Sequence, residues 1–159
     1  MADLTQALDT APSLIIVALV NVLIVATVVG VHYEFLLRLS SRKGKPRFNH
    51  RVGIVFGVCG ALMAHAVEVW IFAFAYFFMS QLPGWGELSG NIDGGLMDCV
   101  YFSFTTFTTL GFGDIHPLGP IRFLTGIEAL TGLVLITWTA SFLFLEMQRH
   151  WNNSNPRQH

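Results

Sequence analysis

Three long stretches of this chain lack the regular interruption by polar side chains that a water-facing helix needs. Residues 13–37, 52–79 and 121–146 are apolar around nearly the whole helical period, so each predicts a helix surrounded by something other than water. Each is long enough to cross a bilayer, since ~20 helical residues span ~30 Å of hydrocarbon. Residues 97–108 form a fourth apolar stretch, too short to span, and a glycine-bearing strand follows it. Non-helical backbone at membrane depth is tolerated only where protein buries it or water lines it. The pattern therefore predicts an all-α integral membrane protein, with three transmembrane helices and a re-entrant helix and loop between the second and third.

The polar positions then orient and divide the chain. Residues 1–37 hold the first helix, whose mid-span polar residues are Asn21 and Thr27 and whose all-round apolar surface suits a lipid-facing, peripheral place. His32, Glu34 and Arg38 fall near its inner end, where they are expected to anchor at headgroups or water. Residues 38–51 contain Arg38, Arg42, Lys43, Lys45, Arg47 and Arg51, six of the nine basic side chains. The positive-inside rule makes this loop cytoplasmic, with the N-terminus outside and, by alternation, the tail of residues 147–159 inside. Arg42, Lys43, Lys45 and Arg47 could also bind anionic lipid headgroups. A second unit covers 52–146: outer helix 52–79, a glycine-rich external turret 80–96, re-entrant helix and strand 97–114, and inner helix 121–146.

Two glycines set the conformation of the strand. A strand whose successive carbonyls all point to one side must alternate ordinary and left-handed backbone angles, and Gly111 and Gly113 stand two residues apart, as that alternation needs. The helix from Met97 to Thr108 ends where the strand begins. The partial negative charge of its C-terminus favours a cation there.

The stretch Thr106-Phe107-Thr108-Thr109-Leu110-Gly111-Phe112-Gly113-Asp114 resembles the pore signature of potassium channels, T-x-T-T-x-G-[Y/F]-G-D. Leu110 stands where that family usually has valine, and Phe112 where it often has tyrosine. By this resemblance Thr109, Leu110, Gly111, Phe112, Gly113 and Asp114 form a selectivity filter. The carbonyls of Thr109 to Phe112, with the Thr109 hydroxyl, replace the water shell of K+. Thr105, Thr106 and Thr108 support the filter from behind. One chain carries one filter strand, so the family's stoichiometry implies a homotetrameric pore. Many members place an acidic residue on the pore helix behind the filter aspartate, but Thr105 stands at that position here. Glu128 on the inner helix is a substitute support, reaching Thr105 or Asp114, or alternatively a partner of His65 or Glu68. Gly132 matches the family's inner-helix bend; the alternative is that it permits close packing, and Gly126 is a lesser candidate.

His65 and Glu68 lie three apart on one face near mid-membrane, where ionisable groups usually face protein. They predict a buried clamp or a proton-sensitive element; a metal site is weaker, because one histidine and one carboxylate are too few ligands. His116 follows the filter at the outer mouth, where imidazoles could respond to external acid. Aromatic side chains such as Phe142 and Phe144 could form a hydrophobic inner constriction.

Composition narrows the alternatives. With 53% hydrophobic and only 12% charged residues, the chain is too apolar for an ordinary soluble domain, and a net charge of −1 gives no reason to expect nucleic acid as a partner. Cys59 and Cys99 sit in apolar stretches and make no disulfide framework. The N-terminus carries Asp3 and Asp9 and lacks the basic start of a secretory signal, so the first helix is expected to be retained in a multi-pass protein of the plasma (inner) membrane. The expectation is a passive K+ channel that uses no cofactor and is not an enzyme. A weakly selective cation channel with a loosened Phe112 filter is the nearest alternative. A transporter subunit and a membrane enzyme built on His65, Glu68 and Glu128 stand further off, because the filter is intact and no nucleophile or full ligand set accompanies those residues.

Overall fold

The computed structural model describes residue 12, residues 14–41 and residues 50–154. The readings for the external N-terminus, for lipid contact at Arg42, Lys43, Lys45 and Arg47, and for the end of the tail lie outside the described residues. The described residues form four helices: α1 (Leu14–Ser41), α2 (His50–Met79), α3 (Leu96–Phe107) and α4 (Ile121–Ser154). Three of them contain segments long and apolar enough to cross a membrane: Leu14–Ser40, Gly53–Met79 and Ile121–Gln148. The all-α membrane class holds.

Helix ends fall where breakers fall. α4 runs past residue 146 to Ser154, because no glycine or proline interrupts it before Pro156. α3 starts at Leu96, and the Asp98 carboxylate caps its first turn by accepting from the Asp93 N–H at 2.9 Å and the Gly95 N–H at 3.1 Å. That charge also suits the positive end of the helix dipole.

The turret is more ordered than a loop. Strand β1 (Glu87–Gly90) pairs antiparallel with β2 (Ile115–Leu118), in register Glu87↔Leu118 to Gly90↔Ile115. Pro117 donates no backbone bond, which a two-stranded edge tolerates. The ribbon fastens the chain before α3 to the chain after the filter. Neither strand has enough alternating apolar length to announce itself alone.

The core lies where α2, α3 and α4 meet. Val69, Phe72, Ala73, Tyr76 and Met79 of α2 close on Cys99, Val100, Phe102 and Phe107 of α3 and on Ile121, Leu124 and Leu135 of α4. α1 is not peripheral all round. Val17, Asn21, Val28, His32 and Leu36 form one buried stripe, while Leu19, Val22 and Leu23 stay exposed. This overturns the expectation that His32 anchors at the interface; its ring is fully buried against α2. Glu34 and Arg38 do remain exposed and pair with each other at 2.9 Å. Of the two cysteines, Cys99 is buried and Cys59 is exposed, so only the first serves as core packing.

Candidate functional site

The strand after α3 has the backbone that its glycines allow, extended by one residue. Gly111 has φ 50° and Gly113 φ 80°, and Thr109, at φ 58°, is the one non-glycine residue with positive φ among the described residues. Left-handed angles thus recur at every second position: 109, 111 and 113. A β-branched residue in that region costs on the order of 1–2 kcal/mol, so the surroundings must hold it. The end of α3 supplies the restraint. The carbonyls of Phe104, Thr105 and Thr106 accept from the N–H groups of Thr108 (3.2 Å), Gly111 (3.0 Å) and Thr109 (2.9 Å). The Thr108 hydroxyl also donates to the Phe104 carbonyl, at 2.7 Å. Thr105 therefore meets the strand through its carbonyl, while its hydroxyl turns back to Phe102. Thr105 and Thr106 are buried; every residue from Thr108 to Asp114 is exposed in the single chain.

Asp114 is held from the pore-helix side by Tyr101, an aromatic neighbour that the sequence offers to Phe112 but not to the aspartate. Tyr101 Oη donates to Asp114 Oδ2 at 2.9 Å, and the Tyr101 ring stacks on Phe112 with centroids 6.5 Å apart. The hydrogen bond to the carboxylate raises the Tyr101 phenol above its ordinary pKa. The Asp114 carbonyl accepts from the Asn91 N–H at 3.0 Å and lies so close to Gly90 that a Cβ there would come within 2.1 Å of it. His116, in β2 opposite Ser89, is exposed.

Glu128 does not reach Thr105 or Asp114, nor does it pair with His65 or Glu68. Its carboxyl is fully buried, with Oε1 2.5 Å from Ser103 Oγ on α3 and Oε2 2.5 Å from Tyr76 Oη on α2. Ser103 Oγ also lies 2.9 Å from the Val69 carbonyl, and Tyr76 Oη lies 3.3 Å from Thr125 Oγ1. Both Glu128 oxygens are met by neutral hydroxyls. One side chain of α4 therefore pins the outer helix and the pore helix together, and it supports the strand through α3 as a body. The family-based alignment pointed to Thr105, two residues from Ser103 and on another side of α3, which is why that contact was hidden.

Gly132 lies directly under the end of α3. A Cβ on it would stand 2.1 Å from the Phe107 carbonyl oxygen and 3.0 Å from Phe107 Cγ, whereas one on Gly126 would meet nothing within 4 Å. α4 stays helical through this point, and the missing side chain at Gly132 lets it pack against the end of α3. Phe144, by contrast, is exposed.

His65 and Glu68 do touch, and they gain a third member. His65 Nδ1 is 2.9 Å from Glu68 Oε2, while His32 Nδ1, from α1, is 2.7 Å from Glu68 Oε1. The two imidazoles stack at 5.5 Å; Trp138 of α4 lies 5.3 Å from His32 and Phe107 lies 5.8 Å from His65. His32 Nε2 is 3.4 Å from Thr139 Oγ1. The signal for His32 was present in the sequence, since it is a histidine within an apolar helix, but its partner lies on another element.

Comparison with known proteins covers this same region. The Ion channel family matches residues 64–149, more than half of the chain, from just before His65 to the end of the membrane part of α4. The inward rectifier potassium channel Kirbac3.1 of Paramagnetospirillum magnetotacticum is 29% identical over 76 residues. The match takes in 47% of this chain but only 26% of that relative.

Proposed function

This chain belongs to the Ion channel family, and from that premise we propose that it is a potassium channel whose filter is the strand Thr109 to Asp114. It is a membrane-embedded channel and not an enzyme. The observation that carries the potassium reading is the alternation of positive φ at Thr109, Gly111 and Gly113 directly after the C-terminus of α3. Such alternation turns successive carbonyls of Thr109, Leu110, Gly111 and Phe112 to one side, as a ring of oxygens around a dehydrated cation requires. The likeness to a protein named as a potassium channel supports the choice of ion.

One strand cannot surround an ion, so the reading includes a homotetramer around an axis lined by four filters. The exposure of Thr108 to Asp114 in a single chain agrees with that assembly. We place the protein in the plasma (inner) membrane, with its N-terminus outside, its basic loop and C-terminus cytoplasmic, and its basic loop against anionic lipid. Tyr101, Thr105, Thr106 and Thr108 brace the filter, and Glu128 fixes the pore helix behind it. Conduction is passive and needs no cofactor beyond the permeant K+ itself.

The experiment is the reversal potential of the purified protein in a bilayer, with potassium on one side and sodium on the other. A value near the potassium equilibrium potential upholds the proposal. A robust current reversing near zero replaces it with a weakly selective cation channel, in which Phe112, braced on Tyr101 by stacking alone, leaves the filter loose.

A further inference from the structure

The cluster of His32, His65 and Glu68 lies outside the proposed filter strand. Glu68 is fully buried, and its two oxygens meet imidazole nitrogens from two different helices. The candidate ligand atoms of His32, His65 and Glu68 all lie within 4.8 Å of one another.

We propose that His32, His65 and Glu68 form a site for a divalent transition-metal ion of the zinc class, which bolts α1 to the pore-forming unit. Two imidazoles and one carboxylate are a zinc donor set with a fourth position left open. Potassium, magnesium and calcium prefer all-oxygen shells, so the permeant ion does not compete for it. Zinc sits ~2.0–2.1 Å from such donors, which sets them ~3.3 Å apart in a tetrahedral shell. The observed separations of 2.7 and 2.9 Å run to the two different Glu68 oxygens and are those of hydrogen bonds, so admitting the ion requires the rings to draw back from Glu68 and the three donors, already within 4.8 Å of one another, to turn onto one shell.

The proton positions permit the exchange. Without metal, each imidazole carries its proton on Nδ1 and donates it to Glu68. With metal, each neutral ring passes to the tautomer protonated on Nε2, and its Nδ1 lone pair faces the ion. No ring need lose or gain a proton overall. Thr139 Oγ1, 3.4 Å from His32 Nε2, is then placed to accept the relocated N–H, the outer hydrogen bond that orients most metal-binding histidines. His65 gives the entry route, since its side chain keeps 17% of its surface while those of His32 and Glu68 keep none. Trp138 and Phe107 wall the cluster on the α4 and α3 sides. A sequence reading that saw only His65 and Glu68 lacked the third ligand, which α1 supplies.

The test uses the untagged full-length chain in detergent, stripped with a chelator and titrated with Co2+ alone, then with Zn2+ as competitor. Binding is read optically and not as current, so it does not depend on the channel reading. We expect one Co2+ per chain, with the intense visible absorption of a four-coordinate site, displaced by Zn2+. His32→Gln, His65→Gln and Glu68→Gln should each weaken Co2+ by at least roughly tenfold. Because removing a buried partner could hinder folding, His65→Cys supplies a gain of signal, a thiolate-to-cobalt charge-transfer band absent from the parent. Absence of a saturable cobalt spectrum in the parent, affinity unchanged by His32→Gln, or no charge-transfer band in folded His65→Cys would each overturn the site and leave a purely hydrogen-bonded clamp.

Discussion

Gly132 of α4 lies against the carbonyl of Phe107, the last residue of the pore helix, so closely that a methyl group at position 132 would stand 2.1 Å from that oxygen. The missing side chain lets the two backbones touch, and it fixes how far the end of α3 descends before the strand turns back. Gly132→Ala must therefore push α3 away or bend α4. Overpacking of this kind costs about 1–3 kcal/mol. Its thermal unfolding midpoint in detergent should fall. Gly126→Ala, with open space around the new methyl, should instead gain up to about 1 kcal/mol of helix propensity. Equal effects at the two glycines would refute packing as the role of Gly132.

Glu128 makes a second, independent attachment of the same helices. Tyr76→Phe removes one of its two hydroxyl partners and leaves a buried oxygen with less than its share of bonds, a loss of about 1–3 kcal/mol. Glu128→Gln in the Tyr76→Phe background should cost less than Glu128→Gln alone, because the contact it breaks is already gone. The double-mutant cycle is expected to give a coupling of about 0.5–3 kcal/mol. Strict additivity would mean that the short Tyr76 to Glu128 contact carries no weight.

How far the sequence anticipated this follows from which signals are local. The three long helices and the short one between them were legible, because apolar length and glycine or proline punctuation are properties of consecutive residues. The left-handed angles at Gly111 and Gly113 were legible for the same reason. Thr109 was not, since a β-branched residue takes that angle only under restraint from the Thr105 and Thr106 carbonyls. The burial of His32, the partners of Glu128 and the bond from Tyr101 to Asp114 each join residues on different elements. A single sequence carries no register between elements, so the likeness to potassium channels pointed Glu128 toward Thr105 when Ser103, two residues earlier, is the one it meets.

Tyr101 tests whether the strand needs its lateral tie. Tyr101→Phe keeps the ring on Phe112 and deletes only the hydrogen bond to Asp114. Under the proposed function, potassium current should appear and then decay faster than in the parent while assembly is unaffected. Because the phenol's pKa is raised in the folded chain, the phenol keeps the proton it donates at neutral pH, and the tie is lost on the alkaline side as pH rises through that raised value. Current decay that is the same in both proteins at neutral pH would count against the tie.

External acid has a separate route. His116 is exposed in β2, the strand that follows the proposed filter, and in the proposed tetramer four copies would stand around the outer mouth. Acid on that side should lower potassium conductance, and His116→Asn should abolish the response. An identical acid response in His116→Asn bilayers would remove His116 from any account of it.

The filter reading itself rests on backbone angle more than on side-chain identity, and that can be isolated. Gly111 has φ 50° with nothing within 4 Å of where a Cβ would go, so alanine there meets no steric obstacle except its own backbone preference. That preference opposes the angle by on the order of 1–2 kcal/mol per chain. In a ring of four chains the strand has reason to relax toward ordinary angles, which would rotate the neighbouring carbonyls away from the axis. Gly111→Ala should thus assemble and keep its helical content while losing potassium flux by at least an order of magnitude. Gly94→Ala supplies the control: its glycine also has a positive φ, 80°, and open space around it, but it lies in the turret. Similar strain there should lower stability by a comparable amount and leave flux intact. If both variants conduct alike, the alternation at 109, 111 and 113 is not the conducting element.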